Sequence, residues 1–197
     1  LDRRRPASEL LSQVHKELDS QFQRAADLGL RLTHFDSHQH LHMIPSVFAI
    51  VAELAPRYGL GRARFTREPF FGSLLFCKPA TIARRMNLLK WAVMRMYASR
   101  VQNPFRSQDW FWGLLYSGAV EKRSFLRFLA CVAPKSSYEV GIHPARPWTG
   151  ADLYPQRNVN EFLRSPARLA EFEMALDPRV RNVLEARSIR VVSFGDL

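Results

Sequence analysis

Four of the chain's six histidines fall within nine residues, at positions 34, 38, 40 and 42, and Asp36 stands among them. All five positions are even. On an extended backbone alternate side chains share a face. The run Thr33-His-Phe-Asp-Ser-His-Gln-His-Leu-His42 therefore predicts five polar groups turned one way, with Phe35 and Leu41 turned the other. Pro45 follows closely, so the extended phase need not reach His42, and the backbone is free to turn just after His38. Imidazole nitrogen and carboxylate oxygen are ligands for Zn²⁺ and related divalent ions. Histidines beyond the ligand set serve as outer partners or as acid–base groups. Surface histidines, or an unrelated structural network, are the competing reading; the density on one face argues against both.

The second chemical signal is Tyr138-Glu-Val-Gly-Ile-His143-Pro144, a strand pattern that ends in a histidine, with Pro144 unable to continue the ladder. Catalytic groups of parallel α/β folds gather at the C-terminal ends of strands. If the strands run parallel, His143 shares a rim with the first cluster. A strand-end histidine alone is ordinarily structural; beside the cluster, His143 becomes a candidate acid–base partner. Alternation puts Glu139 on the same side, where it either orients an imidazole or pairs with an arginine.

The elements that must position these groups alternate in type. Residues 7–29 carry Leu10, Leu11, Val14, Leu18, Phe22 and Ala25 at helical spacing, with Ser8 as N-cap and Gly29 as a stop. Residues 31–36 read as a strand, Pro45 to about Arg57 as a helix closed by Tyr58-Gly59, and 61–66 as a second strand. Long helical patterns follow at about 79–100 and 121–132, separated by an aromatic stretch, 103–118, that reads as a structured loop. Residues 137–142 form the third predicted strand, two short helices cover about 166–175 and 178–186, and 188–193 form a last strand. Strands separated by helices predict a mainly parallel sheet covered by helices, either open or closed as a barrel. Four strands are too few to close one.

Composition narrows the class. No run approaches the roughly 18 apolar residues of a membrane span, and no signal-peptide core follows the first residues, so a cytoplasmic protein is expected. Cys77 and Cys131 lie far apart without metal-ligand spacing and read as buried thiols. Residues 61–136 hold 14 basic against 3 acidic residues, the whole of the net charge of +11, and 13 of the 23 aromatics. Such a segment suits nucleic acid, an anionic membrane or a phosphate-bearing glycolipid, or else it is a solvated basic face over an aromatic core. Within it, Trp110 and Trp112 are candidate walls for stacking a sugar ring, with Asp109 beside them, although large indoles are also ordinary core residues. The helix at 79–100 places Arg84, Arg85, Asn87, Arg95 and Ser99 broadly on one side and Ile82, Met86, Leu89, Val93 and Met96 on the apolar side. That pattern suits a helix resting on an anionic membrane.

The block Thr33 to Phe48, THFDSHQHLHMIPSVF, resembles the THxDSHxHxHxxP signature of the YdjC-like carbohydrate deacetylases, the family of the chitooligosaccharide deacetylases (ChbG) and the hopanoid-associated HpnK proteins. YEVGIHPA resembles the late strand motif of that family, and Arg64-Phe-Thr-Arg67-Glu68 its intervening arginine-rich strand. The three blocks keep the family's order and approximate spacing, so the resemblance covers nearly the whole chain; the histidine block is highly specific and the others support it. The resemblance implies an irregular TIM-like (β/α) barrel that removes the acetyl group of an N-acetylated amino sugar with one divalent metal ion, Mg or Zn. It implies His38 as a metal ligand, Asp36 as the signature aspartate with a catalytic role, and His143 as the late acid–base or substrate-contacting histidine. His34, His40 and His42 are then further ligands or their supports. Arg64 and Arg67 are candidates for binding sugar hydroxyls or a phosphate, with an ion pair to Glu68 as the alternative.

The family's N-terminal strand with paired aspartates, and its early metal-binding histidine, have no counterpart here. The expectation is a single catalytic domain, residues 1–197, corresponding to the C-terminal two-thirds of the barrel, with one of three metal ligands and without the expected general base. The substrate class expected is an oligosaccharide or a lipid-linked glycan such as an N-acetylglucosaminyl hopanoid. Contact with the inner face of the membrane and a homodimer are carried as partner options. A nucleic-acid-binding protein is the alternative from another class; it leaves the histidines unexplained and no nucleic-acid motif is present, so no nucleic acid is expected as a partner. A metal phosphoesterase on a similar barrel is the third reading.

Overall fold

The computed structural model describes residues 7–70, 85–118, 120–147 and 164–197. They divide into two compact units, drawn from Leu1–Thr66, Val93–Gln108 and Val192–Leu197, and from Arg67–Ala92 and Asp109–Val191. In each unit short parallel backbone pairings are interleaved with helices, the α/β pattern the sequence predicts.

The first unit opens with α1, Ala7–Asp27. Its apolar stripe is half-buried rather than sealed: Leu18 and Phe22 pack on the core, Phe22 stacks on Tyr58 at 5.4 Å, and Leu10 stays exposed. Pro45 supplies the first position of α2, Pro45–Leu54, and a 3-10 turn through Tyr58 ends at Gly59, which adopts φ +73. An L side chain disfavours that left-handed conformation and glycine accepts it, so the helix stops where the sequence predicts. Between the helices the backbone at Phe35 pairs parallel with Ala63, and Arg62 pairs parallel with Arg106 on the other side. Residues 61–64 are thus the middle of three parallel segments. Phe35, Met43, Phe48, Val51, Ala55, Leu60, Ala63 and Phe105 form the core beneath them.

In the second unit β1, Trp110–Trp112, pairs parallel with β2, Tyr138–Val140, in the register Trp110↔Tyr138 and Trp112↔Val140. Around the pair lie α4, Lys122–Cys131, α5, Pro166–Leu176, and α6, Pro178–Ala186. The helix α3, Arg85–Ala98, contributes Trp91 to this unit's core and Met94 to the core of the first.

Several sequence expectations need correction. β1 lies inside the stretch that reads as a loop; its three residues are all large and aromatic, so no alternation marks them as a strand. Residues 188–193 form no strand among the described residues, and Val191 is 83% exposed. Cys131 is exposed at the end of α4, not buried; Cys77 lies outside the described residues. The polarity expected for α3 holds only in part: Arg95 and Ser99 are exposed and Val93 is half-buried, but Asn87 is buried and donates to the Leu115 carbonyl at 3.1 Å, while Met86, Leu89 and Met96 are exposed. A buried amide satisfied by a backbone carbonyl costs little. Arg84 and Ile82 lie outside the described residues. Of the aromatics in the basic segment, Phe105, Phe111, Trp112, Tyr116 and Phe128 are buried, which leaves them no face for stacking on bases.

The turn after β1 depends on two glycines. Gly113 has φ +116, and a Cβ there would stand 2.5 Å from the Gly141 carbonyl oxygen. The neighbour is backbone and has no rotamer by which to yield. Gly113→Ala is expected to cost about 2–4 kcal/mol through overpacking and a disfavoured φ; urea unfolding measures it, and a variant of unchanged stability would show that the two strand ends are not in contact.

Candidate functional site

Of the strand predicted over 31–36 only Phe35 is paired, as an isolated bridge to Ala63, and the backbone is still extended at Ser37. The backbone then enters a 3-10 turn, His38–Met43, in which Gln39 and His40 adopt left-handed φ values of 53 and 59. Two successive left-handed residues abolish the strand alternation, so each histidine finds a separate environment.

His42 is turned inward, 2% exposed. Its Nε2 lies 3.0 Å from the Arg64 carbonyl and its Nδ1 2.7 Å from the Ser37 hydroxyl, which also accepts the His42 backbone N–H at 2.8 Å. A carbonyl only accepts, so Nε2 carries the proton and Nδ1 accepts from Ser37. Burial pushes the imidazole below its usual 6.5, against the opposing pull of the Arg64 carbonyl. His42 therefore bolts the turn to the central segment as a neutral ring.

The unfolded chain consequently takes up this proton before the native protein does. Stability is full above pH 6.5 and falls as pH drops below it toward the lowered native value, by up to about 1.4 kcal/mol per pH unit. In urea unfolding at several pH values, His42→Gln is expected to lose stability throughout but to show a shallower acid decline than the parent. Parallel acid declines would contradict the buried neutral ring.

His40 is held too, with Nδ1 2.8 Å from the hydroxyl of the fully buried Thr66. His34 stacks on Phe194 at 4.0 Å, the two rings nearly parallel, and its Nδ1 lies 3.1 Å from the Thr33 hydroxyl. Asp36 is paired with Arg64, Oδ2 to Nη1, at 2.8 Å. His38 differs from the other three histidines: it is exposed at the start of the turn, and its ring has no hydrogen-bond, ionic or stacking partner among the described residues.

In the second unit Arg67 lies over the Trp110 ring at 4.6 Å and donates to the Asp109 carbonyl at 3.0 Å. The Asp109 carboxylate accepts both the backbone N–H and the hydroxyl of Ser137, at 2.8 and 3.0 Å, and so ties the start of β1 to the start of β2. Trp112 is 2% exposed and stacks on Phe128 at 4.5 Å. Its indole is a core group with no free face and offers no stacking wall, whereas Trp110 is only partly buried. The Glu68 carboxylate receives the Gly113 and Leu115 N–H groups at 3.1 and 3.0 Å. His143 is exposed beyond the end of β2, its ring without a partner among the described residues, and its backbone N–H donates to Glu171.

Sequence reasoning singled out neither Ser37 nor Glu171. Ser37 lies inside the histidine motif, five residues before the ring it bonds. Glu171 shares a helix face with Ala167 and Met174 by its spacing, and an acid in an apolar stripe is the signal that marks it.

A catalytic zinc needs three protein ligands, and among the described residues no group of three His, Cys, Asp or Glu is placed to hold a metal. These residues do not make a whole metal centre. Within the histidine block they offer one unengaged imidazole, His38, two residues from the Asp36 carboxylate.

A family profile described as YdjC-like protein matches residues 2–186. A chitooligosaccharide deacetylase of Enterobacter sp. (strain 638) is 28% identical over 190 residues, 95% of this chain and 62% of the relative. One of Citrobacter koseri is 28% identical over 194 residues, with 95% and 62% covered. One of Yersinia pestis (strain Pestoides F) is 27% identical over 193 residues, with 94% and 61% covered. The chain thus spans about 62% of the length of the curated relatives it matches. No solved structure matches it.

Proposed function

The chain belongs to the YdjC-like protein family, and from that membership we propose that it acts in the hydrolytic removal of the acetyl group from an N-acetylated amino sugar, on an irregular TIM-like barrel. The observation that carries the reading to particular residues is the sorting of the histidines: His34 before the turn and His40 and His42 within it are engaged in structure, and His38 is left available.

One divalent ion, Mg or Zn, belongs to this proposal; when bound, such an ion polarises an amide carbonyl and lowers the pKa of a water. His38 is the group that would hold it, and its other ligands lie beyond those the described residues bring together. Asp36, fixed by Arg64, stands next to the ligand turn and orients it. His143 protonates the departing sugar nitrogen, because an amine leaves readily only once it carries a proton. Arg67 and Trp110 together offer a cation and an aromatic face, a pairing suited to a sugar that carries hydroxyls or a phosphate.

The substrate class proposed is a chitooligosaccharide or a lipid-linked N-acetylglucosaminyl glycan. Exposed Met86, Leu88, Leu89 and Met96 on α3, next to the exposed Lys90 and Arg95, support a lipid surface as the place where the second kind would be met. No helix among the described residues is long and apolar enough to cross a membrane. Release of acetate from diacetylchitobiose, suppressed by a chelator and restored by a divalent ion, is the expected result. Release of phosphate from sugar phosphates, with no acetate from any N-acetylated sugar, would replace this reading with a phosphoesterase.

A further inference from the structure

The sheet does not fix His143. β2 ends at Val140, and the last ladder bond runs from the Gly141 N–H to the Trp112 carbonyl at 2.8 Å. Beyond it the chain enters His143-Pro144-Ala145, in which proline has no N–H to offer. Both remaining N–H groups are taken by α5: that of His143 by the Glu171 carboxylate, and that of Ala145 by the Arg168 carbonyl at 3.1 Å. Residues 168 and 171 are one turn apart on the helix, so the segment is docked on a single ridge of α5.

Glu171 is fully buried. Its second oxygen accepts the Val120 N–H at 3.1 Å, so the two oxygens join the strand-end segment to the chain entering α4. Burying a carboxylate is costly, and two backbone donors offset only part of that cost. An apolar residue would pack beside Met174 without it. What the acid does that an apolar residue cannot is hold the two backbone N–H groups, that of His143 among them.

We propose that Glu171 is the positioning residue for His143, holding the backbone from which the imidazole projects. The assignment rests on the reading of His143 as proton donor. Glu171→Gln preserves shape but turns an NH2 toward one of the two N–H donors, so one bond is lost and donor faces donor. A displacement of about 1 Å in a reacting group costs up to about 100-fold in rate. In acetate release by the full chain, Glu171→Gln is expected to lower kcat about 10- to 100-fold with KM changed less than about twofold.

The deciding comparison is made in a His143→Ala background. If Glu171 acts through His143, the double variant is no slower than His143→Ala alone; a double variant slower by the full factor of Glu171→Gln would overturn the assignment and leave Glu171 a general packing residue. His143→Ala at full activity would instead remove the proton-donor reading, and the positioning role with it. Hydrogen exchange on the unaltered protein needs no variant to fold: the His143 and Ala145 amides are expected to be protected despite lying in an exposed segment, and exchange of His143 at the rate of an open loop would overturn the anchoring itself.

Discussion

Replacing His38 with alanine is expected to abolish acetate release while leaving the folded protein as stable as before. Loss of a residue that merely supports a metal ligand costs about 10- to 100-fold, so loss of the ligand itself is expected to exceed 100-fold in kcat/KM. Stability should change by less than about 0.5 kcal/mol, as for surface substitutions remote from structural features, because the His38 ring touches no described partner. The neighbouring histidines provide the contrast. His42→Ala leaves the Arg64 carbonyl without its buried donor and opens space beneath Phe35, whose ring meets that of His42 edge to face at 6.0 Å; a loss of about 2–4 kcal/mol is expected. Activity and thermal melting measured side by side therefore separate one histidine kept for chemistry from one kept for architecture. The reverse pattern, with His38→Ala unstable but active, would invert the assignment.

His143→Ala is expected to lower kcat for the amide substrate by about 10²- to 10⁴-fold, the usual contribution of a positioned proton donor. The effect should depend on the leaving group. A sugar amine needs a proton to depart, whereas 4-nitrophenolate does not, so the same variant should hydrolyse 4-nitrophenyl acetate at nearly the parent rate. An equal loss on both substrates would mean that His143 binds or shapes the site and delivers no proton.

What the sequence made legible was local. The helices α1, α2, α4, α5 and α6 were readable because apolar spacing, prolines at positions 45, 166 and 178, and the stop at Gly59 act within a few residues of one another. Pairing partners are not local, and so the sheet was the weak point. Trp110–Trp112 is a strand with no alternation, while Ser188 to Ser193 alternates and has no ladder among the described residues. The histidine spacing and the histidine that follows the strand pattern at 137–142 also stand out in the sequence. The division of labour inside the histidine block was not legible, because it turns on left-handed backbone at Gln39 and His40, a conformation non-glycine residues seldom adopt and no spacing announces. The two tryptophans make the same point: Trp110 and Trp112 differ by one alternation step, and it is the packing of Tyr116, Phe125 and Phe128 on Trp112 that makes it core.

Which imidazole meets the ion is tested directly by ring nitrogen NMR of the protein during titration with Zn²⁺. The ring resonances of His38 are expected to move with added metal, while His42 keeps the signature of a neutral ring protonated at Nε2. A titration in which His38 stays unchanged and His40 or His42 takes the metal would contradict His38 as the ligand.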